Sequence, residues 1–175
     1  IVPTKDAAIP ISNPQCNGNA WFIKSIKTVP NPDSEIVALF NVNTKREAVI
    51  QQKNKELTTV ADTYNADGKI TLQSYKANDL VYQSDSKDKG FAVFSEIYYP
   101  KGWDAYIDGA LTPHTCVDYV LRGMEIPAGK HTIEFKFEPK VYKTGNSIAM
   151  IGSVLLLLCF GGGLFFAAKK KEIAF

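Results

Sequence analysis

Residues 148–168 read IAMIGSVLLLLCFGGGLFFAA, a run of 21 positions without one charged side chain. Wound as an α-helix, such a run is about 31 Å long, close to the ~30 Å hydrocarbon core of a bilayer. Core helices of soluble proteins are usually shorter and keep one polar face. Asn146 and Ser147 lead into the run, and Lys169, Lys170 and Lys171 follow it directly. The sequence therefore predicts one transmembrane helix over residues 146–168. Basic residues beside a span stay on the cytoplasmic side. Residues 169–175 are thus expected as a cytoplasmic tail, and residues 1–145 outside the cytoplasm.

Charge narrows the partners of that outer part. The chain holds 20 basic and 18 acidic residues, and the tail after the span takes three lysines and one glutamate of these, leaving 17 of each sign. Nucleic acids and anionic lipid surfaces attract a basic field, and a neutral domain offers none. No nucleic-acid partner is expected. The chain begins at Ile1 with no signal peptide ahead of it, so a processed product or a fragment of a longer protein is expected.

Residues 1–18 are rich in Pro, Asn and Gly and read as an irregular lead-in or linker. Residues 19–29 are aromatic and β-branched, bounded by Gly18 and Pro30, and predict a strand. A short helix follows, with Asp33 or Ser34 as cap and Ile36, Leu39 and Phe40 on one face. Glu47-Ala48-Val49-Ile50 returns as a strand, making residues 19–60 a small α/β unit. Beyond Tyr64 short strands alternate with turns: residues 69–76, 79–84, 91–99, 103–107, 110–116 and 119–126. The charged residues 85–90 are expected to close a hairpin. Asp108-Gly109 is a preferred two-residue hairpin turn. The last strand alternates most cleanly, with Ile133, Phe135 and Phe137 set against Glu134, Lys136 and Glu138. The expected fold is mainly β: an antiparallel sandwich over residues 61–142, preceded by the α/β unit and followed by the single C-terminal transmembrane helix.

No catalytic pattern accompanies these elements. There is no G-x-S-x-G, H-E-x-x-H, phosphate loop or CxxC. His114 and Cys116 lie two apart on one strand, but no second ligand pair joins them. No catalytic residue, metal or cofactor is expected in this segment. Cys16 and Cys116 allow a disulfide in an oxidising compartment, or two free thiols. Three side chains stand out as candidate ligand contacts: Arg122, Tyr106 and Trp103. Arg122 shares its strand face with Val120, Met124 and Ile126. A charge on an apolar wall needs a partner, and Glu96 or Asp118 is the expected carboxylate, with a ligand as the alternative. Trp103 belongs to an aromatic group with Tyr98, Tyr99 and Tyr106, and exposed aromatics on sandwiches stack against sugar rings. Tyr106 faces away from Trp103 and is the best candidate for exposure.

An ordered series of segments carries a family likeness. It comprises Gly18-Asn19-Ala20-Trp21-Phe22, Phe94-Ser95-Glu96-Ile97-Tyr98-Tyr99, Gly102-Trp103-Asp104-Ala105-Tyr106-Ile107-Asp108-Gly109, Tyr119-Val120-Leu121-Arg122-Gly123 and residues 126–135. With the final span and its lysine tail, the series resembles the C-terminal region of the YfhO family of bacterial membrane proteins, in the style of its Bacteroides members. The resemblance implies a polytopic parent similar to GT-C glycosyltransferases, which use a polyprenyl-phosphate sugar and keep the catalytic acid in an early extracytoplasmic loop. It implies that this segment is a non-catalytic domain for acceptor binding or support, with the last anchor in the bacterial cytoplasmic (inner) membrane. The partners so implied are the bilayer, the upstream transmembrane part of the same protein, and a glycan or polyprenyl-linked sugar. A single-span surface module whose sandwich binds glycan is the alternative, and a purely structural domain is a third reading. The reading frame upstream of Ile1 separates the first two: hydrophobic spans for the enzyme, a lone signal peptide for the module.

Overall fold

Alternation places the strands, and burial decides how they stack. The computed structural model describes residues 2–3, 8–9, 13–58 and 60–172. The chain divides into two units, residues 1–137 and 138–175. The first opens with a two-residue antiparallel pair, β1 (Val2–Pro3) and β2 (Ala8–Ile9). The expected strand over 19–29 is two strands, β3 (Ala20–Ile23) and β4 (Ser25–Val29), which break at Lys24 and enter different sheets. Helix α1 (Pro32–Leu39) crosses over from β4 to β5 (Glu47–Gln51), which pairs parallel to β4. Helix α2 (Gln52–Thr58), without an apolar stripe to announce it, completes this small α/β unit.

Eight strands follow: β6 (Lys69–Lys76), β7 (Asp79–Ser86), β8 (Gly90–Ile97), β9 (Trp103–Ile107), β10 (Ala110–Thr112), β11 (Thr115–Val117), β12 (Leu121–Ile126) and β13 (Gly129–Phe137). With β3 they form two antiparallel sheets, in the orders β10-β9-β13-β7-β6 and β11-β12-β8-β3. The fold is therefore mainly β, an antiparallel sandwich with a small α/β unit, as the alternation requires. Residues 87–89 do not close a hairpin. They carry the chain from β7 in one sheet to β8 in the other, and neither strand pairs with its sequence neighbour across that link. The same happens at Pro113-His114: β10 pairs with β9, whereas β11 joins β12 in the opposite sheet.

Ile70, Leu80, Tyr82, Phe94, Ile133 and Phe135 are among the residues that fill the space between the sheets. The outer face of β8, through Phe91 and Val93 and together with Ile23 of the neighbouring β3, packs on Ile26, Ala48 and Ile50 of the α/β unit. Phe135 is fully buried, with ring centroids of Phe94 at 4.9 Å and Tyr82 at 6.1 Å, both edge-on. Phe137, expected inside, lies at the strand end and is 36% exposed.

The face of α1 differs from its apolar pattern. Asn31, rather than Asp33 or Ser34, caps the helix, its side chain accepting from the Ser34 amide at 2.8 Å. Phe40 is exposed, while Glu35 and Ala38 are buried. Glu35 is drawn in by hydrogen bonds: its Oε2 accepts from Gln51 Nε2 at 2.6 Å and its Oε1 from the Tyr119 amide at 3.0 Å. Next to it, Asp118 Oδ1 accepts from the Val49 amide at 2.8 Å, and the Asp118 amide donates to the Val49 carbonyl at 2.8 Å. Asp118 and Tyr119 hold φ of 49° and 71° to make these contacts. Left-handed backbone costs an L-residue roughly 1–2 kcal/mol, and the bonds to the α/β unit hold it there. Burial first, then the neighbouring Glu35 charge, push the Asp118 carboxyl up to about 6, against the Val49 hydrogen bond.

The second unit is one helix, α3 (Lys140–Glu172). Its stretch Thr144–Ala167 is long and apolar enough to cross a membrane. The helix begins ahead of the expected residue 146, directly after Pro139, which suits a helix start.

Two outcomes are expected. Phe135→Ala should cost on the order of 3–5 kcal/mol, measured by denaturant unfolding, because it empties the centre of a closed core. For Asp118 the folded value lies above the ordinary carboxylate value, so its stabilising contribution is full below about pH 4 and is lost as pH rises through about 6. Wild type should therefore gain stability relative to Asp118→Asn as pH falls from 7 to 4. Parallel pH profiles for the two proteins would contradict the assignment.

Candidate functional site

The crossing from one sheet to the other leaves a cleft. Strand β9 turns at Asp108-Gly109, where φ values of 50° and 81° make the tight turn that Gly109 permits. The chain returns as β10, and Pro113-His114 then carries it across to β11. Tyr98, Pro100, Trp103 and His114 wall the space so formed, with Asp104 and Thr112 also at its edge; its volume is about 350 Å³. Alternation along β9 turns Trp103 and Ala105 toward it. Gly102 is required just before: a Cβ there would stand 2.3 Å from the Phe137 ring, which packs on Trp103 at 5.3 Å.

Arg122 lies behind Trp103. It is 2% exposed, its Cζ stands 4.3 Å from the centroid of Trp103 and 5.0 Å from that of Phe135, and its Nε donates to the Ile97 carbonyl at 2.9 Å. No carboxylate among the described residues comes within salt-bridge distance of it, which corrects the expected pairing. Asp118 is committed to Val49, and Glu96 acts only through its field, which favours the arginine charge while burial opposes it. Two aromatic faces and a carbonyl hold the guanidinium where a carboxylate was expected, and arginine's flat, weakly hydrated cation suits that environment. Val120 is not on the Arg122 face: the register shifts between Leu121 and Arg122, and Val120 is 44% exposed.

Trp103 and Arg122 are thus brought together, and Tyr106 is not. Tyr106 lies on the other face of β9, its ring 5.2 Å from the Lys136 ammonium. His114 joins the cleft instead, its ring edge-on to Tyr98 at 5.2 Å and to Phe135 at 5.7 Å. Burial, and secondarily the Arg122 charge, push its imidazole down to about 4, so it is neutral at pH 7. Its Nε2, Arg122 Nη1 and Tyr82 Oη have no hydrogen-bond partner among the described residues. The sequence signal for His114 was its spacing from Cys116, which pointed to a metal. Cys16 and Cys116 are free thiols, and no group of three metal-ligating side chains assembles among the described residues.

Arg122 without a carboxylate behaves differently from an ion-paired arginine. Arg122→Met removes a buried charge that no acid balances, so it should stay within about 1 kcal/mol of wild type, while Arg122→Lys keeps the charge, loses the stack and should cost about 1–3 kcal/mol. Melting temperatures in the order wild type ≈ Met > Lys are expected; a methionine variant less stable than the lysine variant would restore the ion-pair view.

Residues 38–149, from inside α1 to the first turns of α3, match the family model described as bacterial membrane protein YfhO. No curated protein and no solved structure matches the chain. The family match covers well over half of the chain and takes in every strand of the two large sheets except β3, with the cleft and the start of the apolar helix, and the chain belongs to the YfhO family of bacterial membrane proteins.

Proposed function

We propose that this chain is the extracytoplasmic C-terminal domain and last anchor of a polytopic lipid-linked-sugar glycosyltransferase, resembling the GT-C type, that acts on cell-envelope glycans at the bacterial inner membrane. The domain itself is non-catalytic and receives the acceptor glycan. The aromatic-walled cleft carries this reading. Trp103 and Tyr98 offer apolar ring faces, and Asp104, Thr112 and the neutral His114 stand at the edge of the space. That mixture of flat apolar wall and sparse polar groups suits a sugar ring. Arg122 fixes Trp103 from behind and does not itself line the space. Tyr106 takes no part in this cleft. Family membership and the apolar stretch Thr144–Ala167, with three lysines at 169–171, support the membrane setting.

A single-span surface module would use the same cleft, and spans encoded upstream of Ile1 would decide against it. Calorimetric titration of the detergent-solubilised chain with envelope oligosaccharides tests the cleft. Binding is expected for wild type and Tyr106→Ala, and its loss for Trp103→Ala titrated well below that variant's melting temperature, which the lost stack on Arg122 should lower. Equal binding by all three proteins would remove the cleft from the account. The purified chain should turn over no polyprenyl-phosphate sugar; measurable turnover, absent from a mock preparation, would make the domain itself catalytic.

A further inference from the structure

A second, larger cleft of about 540 Å³ opens where the sandwich is left unsealed. Strand β11 stops pairing at Thr115↔Gly123, while β12 runs on through Met124, Glu125 and Ile126 with only β8 beside it. Ile107 and Met124, both members of the core between the sheets, are reached from this gap, and Val60, Ala110, Pro113 and Pro127 extend the apolar lining. Apolar surface left in contact with water costs about 25 cal/mol per Å², so an apolar occupant is favoured there.

The polar side chains around the cleft define that occupant, because their hydrogen bonds are already made inside the protein. Glu125 receives Lys89 Nζ at 2.5 Å and Tyr64 Oη at 2.6 Å. Asp108 meets His131 Nδ1 at 2.6 Å and the Thr132 amide at 2.8 Å, and His131 Nε2 lies 3.1 Å from the Ala128 carbonyl. The hydroxyls of Thr58 and Thr115 donate to the Asn54 carbonyl, and that of Thr112 to the Ala110 carbonyl. Glu125 is matched by the Lys89 ammonium, and Asp108 by His131, whose pKa this hydrogen bond raises, so each acid at the rim already has its partner. A charged or strongly hydrogen-bonding ligand would find no unpaired side chain among these described residues. An uncharged hydrocarbon chain needs none, and a member of a membrane-protein family has such chains at hand.

We propose that this cleft takes the acyl tail of a membrane phospholipid. The assignment rests on the cleft and on membership of a membrane-protein family, and does not depend on the transferase reading. It is tested on the full chain reconstituted in phosphatidylethanolamine–phosphatidylglycerol nanodiscs. These contain a trace of phosphatidylethanolamine with a diazirine in its acyl chain. After illumination, adducts are mapped by mass spectrometry. Adducts are expected on residues 107–115 and 123–127 as well as on the span. Ala110→Trp, which places an indole at the cleft wall, should lose the sandwich adducts and keep those on the span. Excess hexadecanol should displace the sandwich adducts from wild type, which keeps the test decisive even if the tryptophan variant misfolds. Adducts confined to the span, or sandwich adducts that hexadecanol leaves unchanged, would overturn the proposal. So would labelling of these residues by a diazirine polyisoprenoid but not by the acyl probe.

Discussion

Strand β8 is buried on both faces, and the rest of the domain is arranged to keep it so. Five consecutive residues, Gly90 to Phe94, are shielded from solvent. Ala92 and Phe94 point into the space between the sheets, and Phe91 and Val93 point out of the sandwich. A strand apolar on both sides cannot end a two-layer sandwich in water, because one row would stay exposed. The α/β unit answers that requirement by laying β4, β5 and the residues around Val60 and Tyr64 over the outer row. Seen this way, the unit is the third layer that makes the second sheet possible. Even Gly90 serves the same closure, since a Cβ there would stand 2.4 Å from Ala66 and 2.7 Å from Phe22.

Holding that third layer in place involves groups that burial alone disfavours. Glu35 and Asp118 are carboxyl groups in the seam between the α/β unit and the loop from β11 to β12, and each finds a backbone amide across it. Arg122, on the other side of the same sheet, meets aromatic faces and a carbonyl instead of an acid. Both arrangements follow one rule: a buried charged or polar group persists where its hydrogen bonds or its charge are answered. They differ in the partner, and that difference determines how each should respond to substitution.

Much of the fold was legible because alternation is a direct image of the pleat. The residues from His131 to Phe135 could be assigned to faces on that ground, whereas in β6 a register shift between Leu72 and Ser74 interrupts the alternation, and the density of β-branched and aromatic residues marks β8 as buried. Pairing across sheets was harder to read. Residues 87–89 look like a hairpin loop because a charged, polar stretch carries no record of whether the chain turns back or crosses over. Glu35 was missed because a helix face is inferred from apolar spacing, whereas its burial depends on an amide 84 residues away. For the candidate site, the alternation of β9 separated Trp103 from Tyr106 correctly. The partner of Arg122 was not readable: Trp103 and Phe135 come from two strands of the opposite sheet, and nothing in the local pattern of β12 names them. His114 was marked only by its spacing from Cys116, which pointed to a metal rather than to an aromatic cleft.

These features meet in a three-layer β-rich domain followed by an apolar helix with a lysine tail, and we propose that the domain lies outside the cytoplasm. The most direct test is topology. Lys87 is exposed on the link between the two sheets. With Cys16, Cys116 and Cys159 replaced by alanine or serine and the remaining chain intact, a Lys87→Cys variant is expressed in cells converted to spheroplasts and treated with a membrane-impermeant maleimide. The account predicts labelling of intact spheroplasts at position 87, and labelling of a cysteine placed at Lys171 only after lysis. Labelling of position 87 only after lysis would place the sandwich in the cytoplasm and contradict it.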